Sequence, residues 1–191
     1  MKIGILGGSF NPIHVGHAIL ANYILQYTDV EQVWLMLSPH NPLKDKSEYI
    51  NDTHRIAMVQ LVAERVDNIT ASDFEFSLPT PSYTINTLDK LSEKYPEHQF
   101  HIIIGTDNLI ELNRWRDYQR IVSEYGVIVY PRRGYNETKL TVTGNIQHIN
   151  SAPLIEVSST MIREGISQGK DMNFFLTDDV YKYIQKNNLY E

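Results

Sequence analysis

Short, uninterrupted apolar runs alternate with stretches of helical periodicity along most of the chain, and no other feature restricts the fold as much. Lys2 to Leu6, Val33 to Leu37, Phe100 to Ile104 and Gly126 to Tyr130 are continuous apolar runs, and Ile69 to Phe76 also reads as extended. A strand that is apolar on both faces is buried on both faces, which is the habit of parallel sheets covered by helices. The intervening segments supply those helices. Ile19, Leu20, Tyr23, Ile24 and Tyr27 recur at helical spacing over Val15 to Tyr27. Ile56, Met58, Val59, Val62 and Ala63 follow Asp52 as an N-cap, and Ile85, Leu88 and Leu91 lie between Ser82 and Tyr95, where Pro96 stops the helix. Trp115 to Tyr125 is expected to be helical as well. Right-handed crossovers then predict an α/β, doubly wound, mainly parallel sheet. Weaker strand signals occur at Ile146 to Ile149 and Leu154 to Val157. Two helices follow, Ser158 to Ser167 and one capped by Thr177 with Asp178 and Asp179 in its first turn. With no repeat or linker, residues 1–191 read as one domain with a C-terminal helical extension from about residue 158.

Composition narrows the function classes. A chain of 191 residues is close to the size of one domain, and 42% hydrophobic residues suffice for a core without staples. Seventeen Lys and Arg against 23 Asp and Glu give a net charge of −6, which offers no attraction to polyanions or acidic lipid. Neither nucleic acid nor membrane is an expected partner. The absence of cysteine excludes a thiol nucleophile and a Cys-based zinc site. The N-terminus has no apolar signal segment, and no run approaches the ~18 apolar residues of a membrane span, so a cytoplasmic protein is expected.

Doubly wound sheets bind ligands beyond the C-terminal ends of their strands, where the winding reverses, and the first strand borders that point. The loop to inspect is therefore Gly7-Gly8-Ser9-Phe10-Asn11-Pro12-Ile13-His14-Val15-Gly16-His17. Gly7 and Gly8 let a phosphate approach the backbone, and Gly16 does so at a helix start whose N–H groups carry partial positive charge. His14 and His17, three apart, can both face the loop. Taken singly, the glycines read equally well as a tight turn and the histidines as a cap and a surface residue. The loop has neither the dinucleotide fingerprint nor a Gly-Lys-Ser/Thr P-loop.

As a combination, the loop resembles the signature of the nucleotidyltransferase superfamily, with His14-Val15-Gly16-His17 as its H-x-G-H element. Ile103-Ile104-Gly105-Thr106-Asp107-Asn108 followed by Asn113-Arg114-Trp115 is similar to the second signature of bacterial nicotinate-nucleotide adenylyltransferases. Pro81 to Leu88 resembles that family's substrate-side segment and Val157 to Arg163 its late phosphate motif. The match extends over nearly the whole chain and implies a Rossmann-like sheet. It departs at Ser38 to Lys44, which follows the family's Pro-rich pattern only loosely.

The resemblance implies transfer of the adenylyl group of ATP to nicotinate mononucleotide, a step of NAD biosynthesis. The mononucleotide phosphate attacks the α-phosphate in line and pyrophosphate leaves, with no covalent enzyme intermediate. Because the nucleophile is already an anion, positioning and charge neutralisation are the enzyme's task. His14, His17 and Arg163 are the expected catalytic residues, with His17 on the α-phosphate. ATP is expected at Gly7, Gly8, Ser9, Phe10, Gly16, Gly105, Asp107, Ser158, Ser159 and Thr160. The mononucleotide is expected at Asn11, Lys44, Tyr83, Thr84, Trp115 and Arg132. Mg²⁺ should arrive with ATP, with no dedicated protein metal site. Asp107 reads either as an acceptor for ribose or adenine or as the cap of a short helix. Trp115 reads either as core or as the plate that stacks on the pyridine ring. Trp34 is assigned to packing, and Arg132-Arg133, at the ligand edge of the sheet, reads either as a pair of which one touches the substrate phosphate or as a solvated pair. His98 and His101 have loose metal-like spacing, but strand alternation argues against a zinc pair. The resemblance leaves room for a homo-oligomer.

The runners-up are a pantetheine-phosphate adenylyltransferase, a cytidylyltransferase, a fragment of a class I aminoacyl-tRNA synthetase and a non-catalytic nucleotide sensor. The Ser82 to Thr87 segment and the Asp107 to Trp115 spacing disfavour the first two, and length and charge disfavour the third. Retention of both His17 and Arg163 disfavours the sensor. Tyr83 and Thr84 at a helix start suggest preference for the nicotinate acid over the amide, since Pro79 to Thr87 contains no carboxylate to receive a carboxamide N–H.

Overall fold

A computed structural model describes residues 1–39, 50–135 and 142–191. Among the described residues six parallel strands form one sheet in the order β3-β2-β1-β4-β5-β6, the doubly wound arrangement expected. They are β1 (Lys2–Gly8), β2 (Gln32–Leu37), β3 (Ile69–Ser72), β4 (Gln99–Gly105), β5 (Val127–Tyr130) and β6 (Ile146–His148). The helices are α1 (Val15–Tyr27), α2 (Asp52–Ala63), α3 (Thr84–Lys94), α4 (Thr106–Glu111), α5 (Tyr118–Arg120), α6 (Ser159–Ser167) and α7 (Asp178–Lys186).

Strand alternation divides the core between the two faces. Leu6, Val33, Leu35, Ile103 and Ile128 point to one face, where α1, α2, α6 and α7 add Leu20, Ile24, Met58, Val62, Ile162, Val180 and Ile184. Ile3, Ile5, Trp34, Met36, Ile102, Ile104 and Val129 point to the other, against Ile85, Leu88 and Leu91 of α3 and Leu109 of α4. Trp34 packs edge-on against Tyr95 and Phe100 with its indole N–H donating to Gln32, in keeping with its assignment to packing. The C-terminal helices contact α2 and the residues after it: Tyr183 of α7 hydrogen-bonds His54 of α2 at 2.9 Å, and Arg65 pairs with Asp179 at 3.0 Å. Among the described residues no helix is long and apolar enough to cross a membrane.

Four expectations are corrected. The extended segment ends at Ser72, whose hydroxyl accepts from the Phe74 N–H, and a 3-10 turn over Phe74–Ser77 follows. The helix expected from Trp115 begins only at Tyr118, because Trp115 is extended (ψ 145°) and Asp117 is left-handed (φ 50°); it continues as a π-helical turn over Ile121–Tyr125. Leu154 to Val157 forms no strand and instead walls a cavity. The cap of α2 is Asn51 rather than Asp52, its side chain accepting from the Thr53 N–H at 2.9 Å.

Candidate active site

The winding reverses between β1 and β4, and two cavities open at their C-terminal ends. The first, of about 370 Å³, is bordered by His14, Gly16, His17, Asp107, Arg132, Arg133, Glu156 and Ser158, among others. The second, of about 230 Å³, lies on the α3 side of the sheet between Gly7, Ser38, Glu75, Thr84, Thr87, Gly105, Asn108 and Trp115. Tyr130 borders both.

The histidines are fixed by the start of α1. His14 caps the helix, its Nδ1 accepting from the Gly16 N–H at 3.2 Å, and His17 Nδ1 accepts from the His14 N–H at 3.3 Å. With both Nδ1 atoms serving as acceptors, each ring carries its proton on Nε2 and is neutral. Burial, and secondarily Arg132, lowers the His14 pKa to about 4. Burial holds His17 well below its ordinary value, with His14 and Arg132 adding to the effect. The rings stack at 3.8 Å, and Phe10 meets His17 edge-on at 4.9 Å. Phe10 itself is buried with φ 42°, a strained angle for a bulky residue that the surrounding core enforces.

The glycines serve different ends. A Cβ at Gly8 would come within 2.9 Å of the Phe10 ring, and one at Gly16 within 3.0 Å of the His14 ring, so both make room for loop side chains. At Gly7 a Cβ would meet nothing within 4 Å and would project toward the second cavity. At Gly105 it would collide with Asp107 Oδ1 and lie 2.9 Å from Arg132 Cγ; only glycine lets these charged side chains fold over the end of β4.

Asp107 lies one position inside α4, whose cap is Gly105, so the capping alternative does not hold. Its Oδ1 is buried without a hydrogen bond, the Arg132 guanidinium being 4.0 Å away. Arg132, expected beside the mononucleotide, borders the histidine cavity, with Nη2 donating to the Tyr130 hydroxyl at 2.9 Å and its backbone N–H to Thr106 Oγ1. Arg133 pairs with Glu156 at 2.7 Å.

The late motif supports the first loop from behind. Ser159 Oγ donates to the Pro12 carbonyl at 2.8 Å and Arg163 Nη1 to the Asn11 carbonyl at 2.9 Å, while Ser158 caps α6 through the Met161 N–H. Of the motif's expected nucleotide contacts only Ser158 borders the first cavity; Ser159 and Arg163 hold backbone and Thr160 is exposed. Asn11, expected at the mononucleotide, is 2% exposed, its Oδ1 accepting from the Tyr190 hydroxyl at 2.9 Å. Ser9 is exposed and its carbonyl accepts from Arg55.

In the second cavity Trp115 is half-buried and Thr84 opens α3, which has no side-chain cap. Tyr83 stands just outside, 40% exposed beneath the Arg116 guanidinium. Lys44 lies outside the described residues. Among the described residues no group of three or more His, Asp or Glu side chains could hold a metal ion.

Sequence reasoning missed three residues. Glu75 enters the second cavity from the turn after β3. Tyr190, next to the C-terminus, reaches the first loop across 179 positions. Arg55, fully buried on α2, donates to the carbonyls of Ser9 at 2.7 Å and Ser38 at 3.1 Å and pairs with Asp52. Its position on the stripe shared with Met58, Val59 and Val62 was the available signal.

Residues 5–165 match the family described as Cytidylyltransferase-like. A probable nicotinate-nucleotide adenylyltransferase of Bacteroides fragilis is 47% identical over 96% of this chain and 90% of its own length. Another, of Flavobacterium johnsoniae, is 44% identical over the full length of both chains. The fold is shared with the Plasmodium falciparum nicotinic acid mononucleotide adenylyltransferase solved with NaAD, at a TM-score of 0.82 and 24% identity, covering 99% of this chain and 97% of that one.

Proposed function

The chain belongs to the cytidylyltransferase-like family and, within it, to the nicotinate-nucleotide adenylyltransferases; from that premise we infer how its two cavities divide the reaction. The first takes ATP with its Mg²⁺, the second takes the pyridine ring of nicotinate mononucleotide, and the phosphates meet between them near Tyr130. The observation that carries this reading is the pair of neutral imidazoles, both committed at Nδ1 and both bordering the first cavity.

The mononucleotide phosphate attacks the ATP α-phosphate in line, the bond to the β-phosphate breaks, and pyrophosphate leaves. His14 and His17 donate from Nε2 to phosphate oxygens, His17 to the α-phosphate, where charge redistributes most. Arg132 adds permanent charge to the same cavity. Arg163 acts through the loop, turning the Asn11 carbonyl away from the phosphates and keeping a cation behind the loop. The orphaned Asp107 oxygen accepts from the ribose or adenine of ATP, and Ser158 borders the phosphates at the start of α6. The ring stacks on Trp115, with its substituent toward the uncapped start of α3.

With ATP labelled at its α-phosphorus, all label should pass to nicotinate adenine dinucleotide and none to the protein; label retained on the denatured protein would contradict direct transfer. Trp115→Ala should raise the mononucleotide KM about two- to thirteenfold, from lost stacking of roughly 0.5–1.5 kcal/mol, and leave the ATP KM nearly unchanged. Loss of ATP affinity first would make Trp115 a packing residue. Near about pH 7 the acid should be preferred over the amide by at least about tenfold in kcat/KM, because a carboxylate accepts from the α3 N–H groups whereas a carboxamide must turn its own N–H₂ away from them. Equal values for the two would remove α3 from the account of selectivity.

A further inference from the structure

Within the second cavity, Glu75 is the one charged side chain among the described lining residues. Its neighbours there are neutral: Thr84 and Thr87 from α3, Met36 and Ser38 from the end of β2, Asn108 from α4, Trp115, and Tyr130 from β5. Of the charged groups on the adjoining elements, Lys94 lies over the Phe74 ring at 5.4 Å and Arg116 over Tyr83 at 4.9 Å, while Arg55 donates to the Ser38 carbonyl and Arg132 to the Tyr130 hydroxyl.

The sheet order says which end of the ligand this carboxyl meets. Tyr130 and Gly105, on β5 and β4, are the side shared with or facing the histidine cavity, whereas Glu75 follows β3 on the opposite flank of β1. A mononucleotide whose phosphate reaches the histidines therefore presents its ring, and not its phosphate, to Glu75. The Thr87 hydroxyl donates to Glu75 Oε1 at 3.0 Å. The Thr87 hydroxyl hydrogen is committed, so the Glu75 wall offers acceptors, while the uncapped start of α3 offers donors.

Resting on the function proposed above, we propose that Glu75 reads the substituent of the pyridine ring, its protonation state setting the choice between carboxylate and carboxamide. Ionised, it repels a ring carboxylate and accepts from a carboxamide N–H₂. Protonated, it donates to the ring carboxylate, and the two carboxyls share one proton. Binding of the acid above the pKa of Glu75 takes one proton from solvent, which returns to solvent when product leaves. Burial already pushes this carboxyl above its ordinary range, against the opposing effect of the Thr87 and Ser38 hydroxyls, and a bound anion would push it further.

The experiment compares kcat/KM for nicotinate and nicotinamide mononucleotides between about pH 6 and about pH 9 in the wild type and Glu75→Gln. In the wild type the acid-to-amide ratio should fall at least about tenfold across that range; in the variant it should stay within about twofold and exceed the wild-type ratio at the alkaline end. Calorimetry of the wild type near about pH 8, in two buffers of different ionisation enthalpy, should show more proton uptake with the acid than with the amide, the phosphate contributing equally to both. This reading needs no folded variant. A ratio independent of pH with equal proton uptake, or a variant that keeps the wild-type slope, overturns the role of Glu75. Failure to bind or convert either mononucleotide would instead overturn the function on which it rests.

Discussion

Replacing His17 by Ala should lower kcat by about 10²- to 10³-fold while the ATP KM changes only a few-fold, the usual cost of removing one preorganised donor at a site of developing charge. Three contacts fix the donor before substrate arrives: the His14 N–H on Nδ1, the stacked His14 ring and the edge of Phe10. Because the imidazole is neutral, the contribution comes from a directed Nε2–H and not from a resident positive charge. His17→Gln, which can place a neutral N–H near the same point, should recover part of the loss. The Ala variant also removes half of the α1 capping box, worth about 1 kcal/mol, so its folding must be checked alongside. A fall in kcat below about fivefold with folding intact would exclude His17 as a catalytic donor.

Arg55→Ala should destabilise the protein by about 3–5 kcal/mol, lowering the melting temperature by roughly 6–20 °C for a chain of this size. The side chain is fully buried, and its removal leaves the carbonyls of Ser9 and Ser38 without that donor as well as a void under two loops. Asp52 is half exposed, so the loss arises at the carbonyls and the cavity more than at the ion pair. Ser9 precedes the histidine turn and Ser38 borders the ring cavity, so any folded fraction should bind both substrates less tightly. Scanning calorimetry decides it; a loss below about 1 kcal/mol would mean that the loops hold their places without this arginine.

Local signals carried most of the fold into the sequence. The limits of α1 coincide with its apolar spacing, and the continuous runs of β1, β2 and β4 announce strands buried on both faces. Elements failed where one residue's backbone overrode the pattern, as at left-handed Asp117, or where an apolar run serves as cavity wall, as at Leu154 to Val157. The histidine loop was legible because capping acts over three residues. Arg55, Glu75 and Tyr190 were not, since each acquires its role from partners 46, 12 and 179 positions away, beyond any local periodicity. The same distance effect places Arg132 at the border of the histidine cavity and joins the Asn11 side chain to Tyr190.

Pyrophosphate release from ATP and Mg²⁺, followed with nicotinate mononucleotide, nicotinamide mononucleotide, phosphopantetheine or no acceptor, tests the central claim most directly. The account predicts sustained release with nicotinate mononucleotide, matched mole for mole by nicotinate adenine dinucleotide. The amide should support it at least about tenfold less efficiently near about pH 7, and the other two conditions not at all. Release without an acceptor, or with phosphopantetheine in preference to the mononucleotides, would contradict it.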